Sequence, residues 1–329
     1  MIDRRNFATI AAATLFALST DLRAQGQATP RRIAYLSAFA RADIENFLSL
    51  LRPELEKLGW TDGRDIVLEV RTTEGRNELL PSVAAELVAQ APDLILVQTV
   101  PAARALKQAT KSIPIVMVFV GNPVERGIVA DYRKPGGNVT GSSYMANEYA
   151  GKLLQFLKEA VPRLRSVAVF SNPSNEAAAV FSKQLRADAV ALGMQAQIVE
   201  VLGPGDFEAA FAAIRSANTQ SILLPPEPLI LSDREAIAGF AQTHGLPLAA
   251  VGGRRTFPAS GLIAFGPARD EYAQLAARYV DRILKGAVPG ELAVEQTTRF
   301  ELIINLKAAK ALGLTIPQSL LVRADEVIE

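Results

Sequence analysis

Two stretches of this chain carry one plan, and that duplication restricts the fold more than any other feature. Short apolar runs at 33–36, 66–70, 94–97 and 115–119 alternate with segments of helical period at 41–58, 78–89 and 102–110. The same alternation returns with apolar runs at 167–170, 197–201, 221–224 and 248–251, separated by helical segments at 176–192, 207–217 and 233–244. Alternation of this kind predicts βαβ units and a mostly parallel sheet, with Pro92, Pro101 and Pro114 standing where helices cannot continue. Gly59 ends the first helix of one block and Gly193 its counterpart 134 residues later, the offset that also separates Ile33 from Val167. A glycine there supplies the left-handed residue that closes a helix. The expectation is an α/β fold of two similar parallel-sheet lobes.

Length and composition agree. At 329 residues, 49% hydrophobic and 21% charged, the chain can bury two cores of ordinary domain size. A formal charge of +1 leaves no basic footprint for nucleic acid. The absence of cysteine excludes disulfides, thiolate catalysis and cysteine metal sites. No Gly-x-Gly-x-x-Gly turn follows a strand, and Gly151-Lys152 lacks the earlier glycine of a phosphate loop. Gly141-Ser142-Ser143 fails the spacing of a nucleophile elbow, and the single histidine, His244, reads as a helix-end residue. An enzyme using Glu227 as a base would therefore lack a nucleophile, a cofactor turn and metal ligands. No cofactor is expected.

The first residues read as an export leader. Arg4 and Arg5 precede an apolar run at 8–18, too short for a comfortable membrane span, and Leu22-Arg23-Ala24 is a cleavage-site ending. Residues 1–24 are expected to be removed, with 25–30 as a linker. Asp3-Arg4-Arg5-Asn6-Phe7 resembles a twin-arginine signal, and the general secretory route stays open beside it. Without a cysteine no lipid anchor can be attached to a cysteine.

In open α/β sheets, small molecules bind beyond the carboxyl ends of the strands. The loops there hold Ser37, Gln98-Thr99-Val100-Pro101, Gly121-Asn122-Pro123, Ser171-Asn172-Pro173-Ser174-Asn175 and Pro225-Pro226-Glu227-Pro228. Small polar residues before a helix either cap it or, with the helix dipole, hold an anion. Glu227, between two prolines, is a carboxylate on a stiff loop, either a turn residue or a partner for a ligand donor.

Five stretches together resemble one known family. They are Gly59-Trp60-Thr61-Asp62-Gly63-Arg64, Leu80-Pro81-Ser82-Val83-Ala84-Ala85-Glu86-Leu87-Val88, Ile113-Pro114-Ile115-Val116, Lys134-Pro135-Gly136-Gly137-Asn138-Val139-Thr140-Gly141 and Phe300-Glu301-Leu302-Ile303-Ile304-Asn305-Leu306-Lys307. The family is that of ABC-transporter substrate-binding proteins, which includes tryptophan/tyrosine-type binding proteins, and the similarity covers about residues 31–329.

The resemblance implies a type I periplasmic-binding-protein fold, its lobes joined by three crossovers near 140–147, 266–270 and 295–300. The lobes would comprise 31–143 with 270–296, and 144–269 with 297–329. It implies a monomeric, non-enzymatic periplasmic receptor that delivers a small organic solute, carboxylate-bearing and amino-acid-like, to an ABC permease in the inner membrane. The alternative is a sensor presenting its ligand to a membrane signalling partner.

The site residues implied are Ser37 and Thr99 for the anionic group, with Asn122, Asn172, Asn175, Glu227 and Arg254 for the remaining polar contacts. Where relatives commonly carry aromatic residues, this chain has Ser171, Val251 and Gly253. The departure predicts a roomier or more polar cavity, filled by a bulkier ligand or by other side chains such as Phe257 and Tyr144.

Overall fold

The computed structural model describes residues 29–144, 146–254 and 257–329. The expected leader at 1–24, and the expected linker up to residue 28, lie outside the described residues. Strands β1 (Arg31–Ser37), β2 (Ile66–Thr72), β3 (Leu94–Gln98), β4 (Ile115–Gly121), β5 (Val139–Tyr144) and β11 (Glu295–Gln296) make one sheet, in the order β11-β5-β4-β3-β1-β2. The second sheet contains β6 (Ser166–Ser171), β7 (Gln195–Glu200), β8 (Ile222–Leu224), β9 (Leu248–Val251), β10 (Ile263–Pro267), β12 (Phe300–Asn305) and β13 (Glu326–Ile328), in the order β13-β12-β10-β9-β8-β6-β7. The first sheet is parallel throughout. The second departs from the parallel pattern once, where β10 and β12 run antiparallel.

Helices cover both faces of each sheet. In the first lobe these are α1 (Arg41–Lys57), α2 (Leu80–Ala89) and α3 (Val100–Ala109), and in the second α4 (Ala146–Ala160), α5 (Glu176–Ala191), α6 (Phe207–Ser216), α7 (Pro228–Ser232) and α8 (Arg234–Thr243). Helix α9 (Arg269–Leu284) leaves β10 of the second sheet and packs on α1 and β4 of the first. After β12 the chain finishes in the second lobe through α10 (Leu306–Ala311), α11 (Gln318–Leu321) and β13. The chain thus passes between the sheets at three places: after β5, after β10 and after β11. The short helix α7 was hidden in sequence by its flanking prolines; Pro228 starts it, as proline can in a first helical turn.

The central strands are near-continuous apolar runs because both their faces are covered. Leu94–Val97 and Ile115–Val118 are all fully buried. Between β1 and α1 the core is aromatic: Tyr35 stacks on Phe47 at 6.0 Å, and Phe47 on Tyr272 of α9 at 5.6 Å. The ring series runs on through Phe119, 4.7 Å from Tyr272, to Tyr144, 3.9 Å from Phe119. It joins the core of the first lobe to the space between the lobes.

The lobes are closed upon each other. Arg234 of the second reaches Asp43 of the first at 3.3 Å, Arg104 pairs with Glu176, and Asn77 donates to Ser174 at 3.3 Å. Gly75 lies against Leu229 so tightly that a Cβ there would sit 3.1 Å from the Leu229 Cα. Its φ of +87° already favours glycine. Gly75→Val is therefore expected to keep the lobes from meeting and to weaken ligand binding about five- to tenfold, which is roughly 1–1.4 kcal/mol. Calorimetric affinity together with small-angle scattering checks this, since a variant that closes normally and binds with wild-type affinity contradicts it.

Candidate functional site

The strand ends of both lobes converge on two adjoining cavities. They share Tyr144 and Pro226 as a common wall.

The first cavity is lined by Asn122 and Arg126 from the loop after β4, and by Asn175 and Glu227 from the loops after β6 and β8. Glu227 is 3% exposed. Its Oε2 accepts from the amide of Ile230, 3.1 Å away, capping α7, and its Oε1 accepts from Asn172 Nδ2 at 3.1 Å. Burial raises the Glu227 pKa above the ordinary glutamate range, and hydrogen bonds from Ile230, Asn172 and Asn175 oppose that rise. Asn175 caps α5, its Oδ1 accepting from the amide of Ala177. Arg126 enters from the other lobe, its buried Nε without a partner. Among the described residues no ion pair joins Arg126 to Glu227, although both line the same cavity.

The second cavity is walled by rings. Phe39, Phe119, Tyr144 and Tyr272 line it, together with Asp43, Gln98, Arg269, Val251, Gly252 and Gly253. Gln98 is held by a hydrogen bond from Tyr35 Oη at 2.8 Å. Asp43 is buried, which raises its pKa, while Arg234 and Arg269 lower it. Arg269 presents Nε and Nη1, both buried and without partners, and its Nη2 donates to the Asp43 carbonyl at 3.5 Å.

Backbone strain is concentrated at these strand ends. Thr99, Phe119 and Asn122 have φ of +83°, +59° and +47°, a conformation that costs non-glycine residues about 1–3 kcal/mol and that clusters at ligand sites. Phe119 sits in a bulge where the β4–β5 register shifts between Met117 and Val120. Its amide donates to Ser142 Oγ at 3.0 Å. Opposite the bulge Gly141 has φ +129°, and a Cβ there would collide with the Met117 carbonyl. The bulge thus re-aims one apolar strand residue from the sheet into the cavity wall.

The residues singled out in sequence divide into four groups. Asn122, Asn175 and Glu227 line the first cavity. Thr99 adjoins it, with a buried Oγ1 that has no partner. Ser37 and Asn172 stand behind the walls. Ser37 Oγ accepts from the Phe39 amide, and Asn172 Oδ1 accepts from Ser174 while its Nδ2 holds Glu227. Arg254 is not brought in. It is half exposed and paired with Glu326 at 3.0 Å, because the turn after Gly253 carries it over the outer end of β13.

Arg269, eighteen residues beyond the end of β9, supplies the cation on that side. Nothing in the α9 pattern distinguished it from a first-turn surface residue. Of the positions that lack rings, Val251 and Gly253 line the second cavity, whereas Ser171 packs at Ser182. Phe257 is buried against Gly261 in the second core and does not compensate; Tyr144 does.

Residues 48–328 match the family model described as ABC transporter substrate binding protein. The chain belongs to that family. A tyrosine-binding protein of Clostridioides difficile (strain R20291) is 27% identical over 266 residues, covering 79% of this chain and 74% of the relative. A structure from Vibrio cholerae O1 biovar eltor, called a conserved domain protein, superposes with a TM-score of 0.84 at 26% identity, over 91% of this chain and all of that one. An ABC domain from Streptococcus pneumoniae in complex with L-Trp gives 0.82 at 23% identity, with the same coverage. This substrate-binding protein has the type I periplasmic-binding-protein fold expected from its motifs, and it binds solute rather than transforming it.

Proposed function

We propose that this chain captures an amino-acid-like solute with a planar, apolar side chain and hands it to the permease of an ABC importer, in the periplasm after removal of residues 1–24. One observation carries the reading: Glu227 of one lobe and Arg126 of the other share a cavity without pairing. An α-ammonium beside the carboxylate and an α-carboxylate beside the guanidinium satisfy both groups at once, with charge-assisted hydrogen bonds. The side chain then passes Tyr144 into the ring-lined second cavity, where aromatic faces favour offset stacking. The tyrosine-binding and L-Trp-bound relatives support a planar side chain.

The test is a calorimetric and thermal-shift screen of free amino acids and their deaminated and amidated analogues against the purified mature chain. Binding that needs both the ammonium and the carboxylate supports the proposal. Binding of plain carboxylates as tightly as their amino counterparts contradicts it. N-terminal sequencing of the periplasmic fraction tests cleavage after Ala24.

Affinity should depend on pH through Glu227. Its raised pKa means that the protein binds a proton there at acid pH, and a ligand ammonium must displace that proton. Affinity is expected to rise with pH through the Glu227 pKa and then to level, and Glu227→Gln should flatten the profile. Stability of the empty protein runs the other way. A carboxyl whose folded pKa is raised contributes stability fully present below its unfolded pKa, and this is lost as pH rises through the folded one. Asp43, raised by burial as well, acts in the same direction. Calorimetry and thermal unfolding across pH 4–8, a range set about the ordinary glutamate value, check both slopes.

A further inference from the structure

We infer that the second cavity selects a side chain with an anionic acceptor at its far end, and that Arg269 is the residue that selects it. The inference rests on the amino-acid reading above and adds the identity of the distal group. Arg269 stands in the ring-lined cavity with Nε and Nη1 buried and unpartnered. The guanidinium shares a hydrogen bond with the Tyr272 side chain and reaches the Asp43 carbonyl through Nη2, and no carboxylate forms an ion pair with it among the described residues. Asp43 is paired with Arg234, and Asp270 with Arg299. Glu301 borders Gly253, and among the described residues it makes no ion pair with Arg269. A partly buried guanidinium with two unmet donors and no carboxylate partner is costly unless something else supplies the acceptor.

The surroundings leave room for one. Gly253 brings no side chain between Arg269 and the cavity: a Cβ there would lie 4.0 Å from Arg269 Cγ. Val251 and Gly252 are small as well. A bulky residue at position 253 would fill the space beside the guanidinium. The cavity therefore reads as an apolar, stacking middle with a cationic end, the complement of an aromatic ring carrying a carboxylate. The charge count agrees. Among the residues lining the two cavities, Arg126 and Glu227 are one cation and one anion in the first, Asp43 of the second is paired with Arg234, and Arg269 remains.

The probe is 4-carboxy-L-phenylalanine, measured by calorimetry against L-phenylalanine on the purified mature chain near neutral pH. The carboxylated compound is expected to bind at least about tenfold tighter. Arg269→Met should bring the ratio of the two affinities close to one, while Arg269→Lys, which keeps the charge but loses the planar fork, should retain part of it. Circular dichroism of both variants confirms that they are folded, and the Lys variant carries the test if the Met variant is not. Equal or weaker binding of the carboxylated compound overturns the inference and leaves the amino-acid reading standing. So does a preference that survives Arg269→Met. Failure of both compounds to bind overturns the inference together with the reading beneath it.

Discussion

Glu227→Gln is expected to weaken binding of an amino-bearing ligand by about 1.5–3 kcal/mol, roughly a 10- to 150-fold loss. The substitution keeps the shape of the side chain, and one amide oxygen can still accept from the Ile230 amide to cap α7. The amide nitrogen, however, now faces the Nδ2 donor of Asn172, or the Ile230 amide if the group turns over, and the charge that would attract a ligand ammonium is gone. Two effects therefore separate by experiment. A structural cost appears in the thermal stability of the empty protein, since a lost cap is worth about 0.5–2 kcal/mol. A recognition cost appears only in the calorimetric affinity, and only for ligands with an ammonium. Equal losses for amino and deaminated ligands would return Glu227 to the status of a cap.

Phe47→Ala should cost about 3–5 kcal/mol of stability, the usual result of removing a fully buried ring. Phe47 sits between Tyr35 and Tyr272 in the series of stacked rings, so the vacancy lies directly behind a wall of the second cavity. Tyr272 is expected to relax into that space and to loosen its contact with Phe119. Affinity for ligands with a ring should then fall along with stability, while that for small aliphatic amino acids falls less. Chemical denaturation and calorimetry on the same preparation provide the check. A stability loss below about 1 kcal/mol would show that the surrounding side chains refill the space.

Much of the fold was legible because parallel strands buried on both faces leave a simple trace, short apolar runs bounded by Pro and Gly. The runs at 94–97 and 248–251 coincide with β3 and β9 to within a residue. The antiparallel β10–β12 pair was not legible, because strand direction is decided by where the last crossover delivers the chain. The short α7 was missed for a related reason. Pro228 reads as a turn locally, and only the carboxylate of Glu227, turned inward as a cap, makes it a helix start.

The site divides along the same line. The amino-acid sequence by itself determined that polar groups would gather beyond the strand ends, since βαβ connectivity puts those loops on one edge of each sheet. Asn122, Asn175 and Glu227 could be named from their positions after the fourth, sixth and eighth strands. The tertiary structure alone decided which neighbours line the cavities. Arg254 is adjacent to the right strand yet leaves for Glu326, whereas Arg269 arrives through a helix that changes lobes. The aromatic surface moved in the same way. Rings absent at Ser171, Val251 and Gly253 are supplied by Phe39, Phe119, Tyr144 and Tyr272, all packed on the first sheet. Strand periodicity places Phe119 on a sheet face, and only the bulge opposite Gly141 turns it into the cavity. Local pattern specifies elements because it acts through nearest neighbours along the chain. A cavity between two lobes is made by contacts more than a hundred residues apart, and those depend on how the lobes close.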